Sequence, residues 1–171
     1  MIAALTSVND LCYITLIRQG AAPRRGNARY PPAGRSCPRG GVTGHNHEMD
    51  DDLTARLRGI CLALPAVTER PSHGAPTWFA GGKKPFVQLW ASGHHADDFP
   101  HLWCAGLPGA QEALTGSAPD RFFRPPYVGH RGWVGVRLDG DVDWTELAEL
   151  CADAYRAVAP PRLIALLDDA R

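Results

Sequence analysis

A chain of 171 residues with 44% hydrophobic and 21% charged residues has room for one ordinary core and the composition to build it, which excludes wholesale disorder and a disulfide-rich miniprotein. The formal charge of zero conceals an imbalance. Residues 1–48 hold six arginines against Asp10 and Glu48, a net of +4, whereas residues 49–171 hold 12 basic against 16 acidic side chains, a net of −4. A protein that grips DNA through its phosphates needs a basic face, so any nucleic-acid role must rest on a local patch. The five cysteines are odd in number and contain no C-x-x-C pair. That suits reduced, buried thiols in a cytoplasmic protein better than disulfides or structural zinc.

Residues 2–17 are apolar but interrupted by Asn9 and Asp10, and too short to span a bilayer. Positive charge follows this run instead of preceding it, which argues against a secretory signal. Residues 19–44 are a Gly, Pro, Arg and Ala run without periodicity, unable to bury enough apolar surface to fold. Residues 1–48 are therefore expected to lie outside the domain. Three origins stay open: a start placed too early with Met49 the true beginning, a disordered basic tail, or an organelle presequence.

From Met49 the chain has the pattern of one folded domain reaching Arg171. Asp50, Asp51 and Asp52 are expected to open a helix whose apolar face is Leu53, Leu57, Ile60, Cys61 and Leu64, ended by Pro65. Strands follow at Val67–Ser72, Pro76–Ala80, Phe86–Ala91 and Leu102–Ala105, with Gly81, Gly82, Lys83 and Lys84 as a hairpin loop. Pro108–Gly116 suggests a short helix. Alternation of Val134, Val136 and Leu138 predicts a half-buried strand over Trp133–Leu138. Asp143 then caps a strong helix, with Glu146 placed to complete a capping box, and Pro160 and Pro161 separate it from a last helix. The order predicts an α+β fold: a two-layer sandwich with an antiparallel sheet, helices packed on one face and the other face open. No internal repeat is present.

The strings CLALPAVTERPSHGAPTWF, GGKKPF, RFFRPPYVGHRGWVGVRLDGDVDW and AYRAVAPPRL, in this order, resemble the MmcQ/YjbR family of small bacterial proteins over about Leu53 to Leu167. The resemblance implies a fold similar to the frataxin-like (CyaY-like) sandwich and a DNA-binding role. The segment GHHADDFPHLWCAGLP departs from the simplest family pattern.

The chemistry-bearing block is Arg121 to Trp133, where Arg121, Arg124, His130 and Arg131 alternate with Phe122, Phe123, Tyr127 and Trp133. Cations among aromatics suit phosphate contact and base stacking, and equally a small phosphorylated ligand. The bland alternative has the rings filling the core and the arginines merely solvated. Lys83 and Lys84 could extend this patch, or be an ordinary polar hairpin tip. His73, beside Gly74, is a candidate polar contact or a structural imidazole. His94, His95, Asp97, Asp98, His101 and Cys104 are metal-binding residue types. Their spacing matches no defined site, so no metal or other cofactor is assigned. No nucleophile elbow, zinc-protease, phosphate-loop or dinucleotide motif occurs. The expectation is a non-enzymatic binding module for DNA; the alternative is a module for a small anionic ligand or a protein partner, with no membrane association.

Overall fold

The computed structural model describes residues 45–94 and 97–169. Contacts divide the chain between Gly41 and Val42, and the second unit carries every element described here. The expectations for residues 1–44 and for His95 lie outside the described residues.

Helix α1 runs His45–Leu62. It begins a turn and a half before the expected start, so Asp50, Asp51 and Asp52 lie inside it instead of capping it. They act through side chains there: Asp52 pairs with Arg56 one turn on, and Asp50 accepts from Ser92 Oγ at 2.5 Å. Five strands and a helix follow: β1 (Val67–Ser72), β2 (Ala75–Ala80), β3 (Lys84–Trp90), β4 (His101–Cys104), α2 (Ala110–Ser117) and β5 (Phe122–Phe123). After a 3₁₀ turn at Gly129–Arg131 come β6 (Val134–Arg137), α3 (Trp144–Val158) and α4 (Pro161–Asp169). Asp143 caps α3 as expected, accepting from the amides of Thr145 and Glu146. The reciprocal half of the capping box is not formed; the Glu146 carboxylate accepts from Arg121 instead. Pro161 occupies the first turn of α4, where a missing amide proton costs nothing.

The strands form one sheet in the order β1-β2-β3-β4-β6-β5, every described pairing antiparallel. Between Trp78 and Phe79 the register shifts, leaving Phe86 as an extra residue in β3. Such a bulge turns neighbouring side chains toward one face. Phe86 accordingly meets Tyr155 of α3 edge-on, at 5.6 Å between ring centroids. Because residues directly opposed in a sheet share a face, Val87, Cys104 and Val134 form one row and Leu89, Leu102, Val136 and Phe122 the next, all buried on the helix side. Glu69 is on that side too, gripped by Arg58 of α1 through two 2.7 Å hydrogen bonds, and this bond to Arg58 holds its carboxyl below the usual range. Tyr155 Oη donates to the Pro65 carbonyl at 2.7 Å, tying α3 to the exit of α1.

The opposite face corrects the expected open sheet. Gln88, Trp90, His101, Trp103 and Phe123 point there, and Trp90 and Trp103 form a buried cluster with Ala75 against which Phe123, Val128 and Trp133 pack. A second apolar face of this size would not stay in water, and the loops on either side of β4 and β6 close over it. Among the described residues, no helix is long and apolar enough to cross a membrane.

Candidate functional site

The Arg121–Trp133 block splits across the sheet. Phe122 and Phe123 are consecutive strand residues and so face opposite ways. Phe122 is sealed among the helices, where the Arg121 guanidinium lies 5.2 Å from its ring. Arg121 donates to Glu146 Oε2 at 2.7 Å, on the helix side. Phe123 joins the second face, edge-on to Phe99 at 5.9 Å and to His101 at 5.5 Å. Trp133 is half-buried against the same cluster. The expected single surface therefore loses Arg121 and Phe122 to the helix layer, and Phe123 and Trp133 to packing.

What remains outward is the loop over residues 124–131. Pro125 and Pro126 bend the chain so tightly that the Gly129 amide returns to the Pro125 carbonyl at 3.0 Å. Tyr127 takes a left-handed backbone, φ 62°, which a side chain accepts only at a cost of about 1–3 kcal/mol. The conformation carries its ring outward, leaving it 70% exposed, and edge-on to His94 at 6.4 Å. Arg124, His130 and Arg131 are exposed on the same loop. Arg124 lays its stem over Gly129, where a built Cβ would stand 2.6 Å from Cγ. The loop is pinned from below by buried Gln111 of α2, whose Nε2 donates to the Gly129 carbonyl at 2.9 Å and to that of Trp133. Sequence reasoning missed Gln111; its only signal is an amide amid the apolar positions of a short helix.

The other expected residues lie apart. Lys83 and Lys84 are exposed at the β2–β3 turn, at the same end of the sheet as the exit of β5. Strands β4 and β6 intervene, a separation of three strand spacings or roughly 14 Å. His73 sits exposed in the β1–β2 turn at φ 52°, its Nδ1 3.0 Å from Ser72 Oγ. That is the opposite end of the sheet from the lysines.

Among the described residues, no group of three or more His, Cys, Asp or Glu side chains is placed to hold a metal. Of the types that suggested one, Cys104 faces α3 and His101 the other side, so a single ion could not meet both. Burial pushes the Cys104 thiol far above its ordinary range, leaving it a protonated, packed side chain.

The second face holds a feature that the sequence showed only as residues without an orientation. Trp90, His94 and Trp103 are mutual ring neighbours, with centroids 3.8 Å apart for Trp90–His94, 5.2 Å for Trp90–Trp103 and 5.1 Å for His94–Trp103. His101 lies 6.0 Å from Trp103, nearly parallel, and opposes Trp90 directly in the β3–β4 register. Its Nδ1 is 2.8 Å from the Phe99 carbonyl. Phe99 is in turn covered by the Arg137 guanidinium at 3.9 Å, and Arg137 is held by both oxygens of Asp139.

A six-stranded antiparallel sheet, helical on one side and roofed by an aromatic cluster on the other, defines a small two-layer α+β domain. The chain belongs to the YjbR family, whose model matches residues 62–157. A crystal structure of the Deinococcus radiodurans protein DR2400, a DUF419 domain, is similar with a TM-score of 0.54 at 19% identity, covering 67% of this chain and 87% of that one. At that identity the likeness speaks for the fold alone. Comparison with curated proteins finds no match.

Proposed function

We propose that this domain is a non-enzymatic, cytoplasmic binding module that takes DNA through the loop over residues 124–131. The observation that carries the reading is local. Arg124, Tyr127, His130 and Arg131 stand exposed on one loop that contains no acidic residue, and no carboxylate among the described residues pairs with Arg124 or Arg131. A guanidinium donates to phosphate oxygens and an outward ring stacks on a base face, the pairing used where single strands are held. The net −4 of residues 49–171 favours a few contacts to an unpaired strand over a broad grip on duplex. Three buried, free cysteines suit a reducing compartment.

The deciding experiment is fluorescence anisotropy with labelled single-stranded and duplex oligonucleotides at low and moderate salt. Saturable binding to the single strand that weakens with salt supports the reading. No binding at tens of micromolar in low salt removes it. The same negative net charge would also suit a ligand with only one or two phosphates; binding of mononucleotides with no gain for oligonucleotides would identify that instead.

A further inference from the structure

The second face has an outer edge as well as a roof. β1 is an outermost strand of the described sheet, and its Arg70 opposes Thr77, which leads through Gln88, Trp103 and Gly135 to Phe123 in one unbroken row of paired residues. Directly opposed residues share a face, so Arg70 stands on the side that the 124–131 loop covers. Val128 of that loop packs on Trp90 of β3 and Trp103 of β4. Arg70 is two to three strand spacings from there, roughly 10–14 Å.

Arg70 is held in place without being neutralised. Its guanidinium lies 4.0 Å from the centroid of the Phe79 ring, two residues beyond Thr77 toward the β2–β3 turn. Phe79 is 6% exposed beneath it, whereas Arg70 is exposed. Among the described residues, no carboxylate pairs with Arg70. Stacking on a ring orients the planar group and leaves its N–H edge for a phosphate.

The charge of the domain is divided in the same sense. Helices α1, α3 and α4 hold eight acidic side chains from Asp50 onward against four basic ones, which accounts for the whole net −4 of residues 49–171. Glu69 is the one acidic residue in the six described strands, and it turns to the helix side, to Arg58. Asp97 and Asp98 lie in the β3–β4 connection, at the end of the sheet away from the β2–β3 turn toward which Arg70 leans.

We infer that Arg70 is the second anchor of the DNA site: a single strand that enters on the 124–131 loop runs along this side of the sheet and sets a further phosphate on Arg70. The inference rests on the proposed DNA-binding role and adds to it a length and a direction. At about 3.4 Å per nucleotide along one strand, the gap takes roughly three to four nucleotides. A dinucleotide with a single phosphodiester cannot use both anchors.

The test is fluorescence anisotropy on the full chain with labelled thymidine oligomers of two and eight nucleotides at several salt concentrations. The octamer is expected to bind about ten-fold tighter than the dinucleotide in low salt, the effect of one added charge-assisted contact. Arg70→Gln keeps a stem over Phe79 and removes the charge. It should erase most of that gain with length and flatten the octamer's salt dependence by about 0.7 of a logarithmic unit. Arg70→Lys, which keeps the charge, should restore the slope even where packing over Phe79 is disturbed. Arg162→Gln removes an exposed cation from α4 and should change neither affinity nor slope. If Arg70→Gln leaves octamer binding as in the wild type while Arg124→Ala weakens it, the inference fails and the loop reading stands. Equal losses from Arg70→Gln and Arg162→Gln also overturn it, since net charge would then explain both. An octamer that does not bind in low salt removes the loop reading and this anchor with it.

Discussion

Arg121 and Glu146 meet at 2.7 Å, joining the chain just before β5 to the first turn of α3. The contact costs the proposed surface a cation, and the Glu146 carboxylate it turns toward Arg121 makes no return bond to the Asp143 amide. It also separates the arginines by role. Arg124 and Arg131 are expected to carry oligonucleotide affinity, and Arg121 is not. In the anisotropy titration, Arg124→Ala with Arg131→Ala should flatten the salt dependence by about 0.7 of a logarithmic unit per lost phosphate contact. Arg121→Ala should leave both affinity and slope near wild type. An equal loss in both variants would mean that net charge, and not this loop, governs binding.

Gly135 and Phe123 are directly opposed in the β5–β6 register, and the Phe123 ring occupies the space beside the glycine where a side chain would stand. A Cβ built on Gly135 would stand 2.4 Å from the Cζ of that ring, far inside van der Waals contact. Gly135→Ala should therefore drive Phe123 off the second-face cluster and destabilise the domain by about 1–3 kcal/mol, the usual cost of overpacking. Chemical denaturation checks the size. Phe123→Leu in the same background should recover part of the loss, which a backbone effect at residue 135 would not allow.

The secondary structure was largely legible because its signals are local: alternation in β6, the Asp143 cap, and the glycine-rich β2–β3 turn. Membership of the YjbR family was legible from ordered strings. The site was not, since alternation tells which residues share a face but not which face meets helices. Arg121-Phe122-Phe123-Arg124 reads as one patch along the chain, yet two consecutive strand residues must point to opposite sides. The bulge at Phe86 and the roof over Trp90 and Trp103 depend on contacts far apart in sequence. No local pattern announces them.

Tyr155 ties α3 to the turn after α1 with one hydrogen bond, from Oη to the Pro65 carbonyl, while its ring packs against Phe86. Tyr155→Phe keeps the ring contact and removes the bond, leaving the carbonyl short of a partner. The expected loss is about 1 kcal/mol in a urea titration. Tyr155→Ala removes a ring buried among the helices and should cost about 3–5 kcal/mol by analogy with other large-to-small aromatic changes. If the two variants lose the same amount, the hydrogen bond rather than the packing dominates this junction.

His101 supplies a pH dependence whose sign follows from its surroundings. Burial is the largest effect and lowers its pKa; the bond to the Phe99 carbonyl opposes this and is outweighed. A histidine whose folded pKa is depressed contributes stability that is present above the unfolded value of about 6.5 and is lost as pH falls below it. The folded domain resists taking the proton that the unfolded chain takes readily. Between pH 7.5 and 5.5 the wild type should lose stability with a slope approaching at most about 1.4 kcal/mol per pH unit for one proton. The carboxyls of Glu69 and Asp139, held low by Arg58 and Arg137, release their contributions only at more acidic pH and do not confuse this window. His101→Leu, which cannot titrate, should flatten the slope between these two pH values, and an unchanged slope would assign the effect to another group.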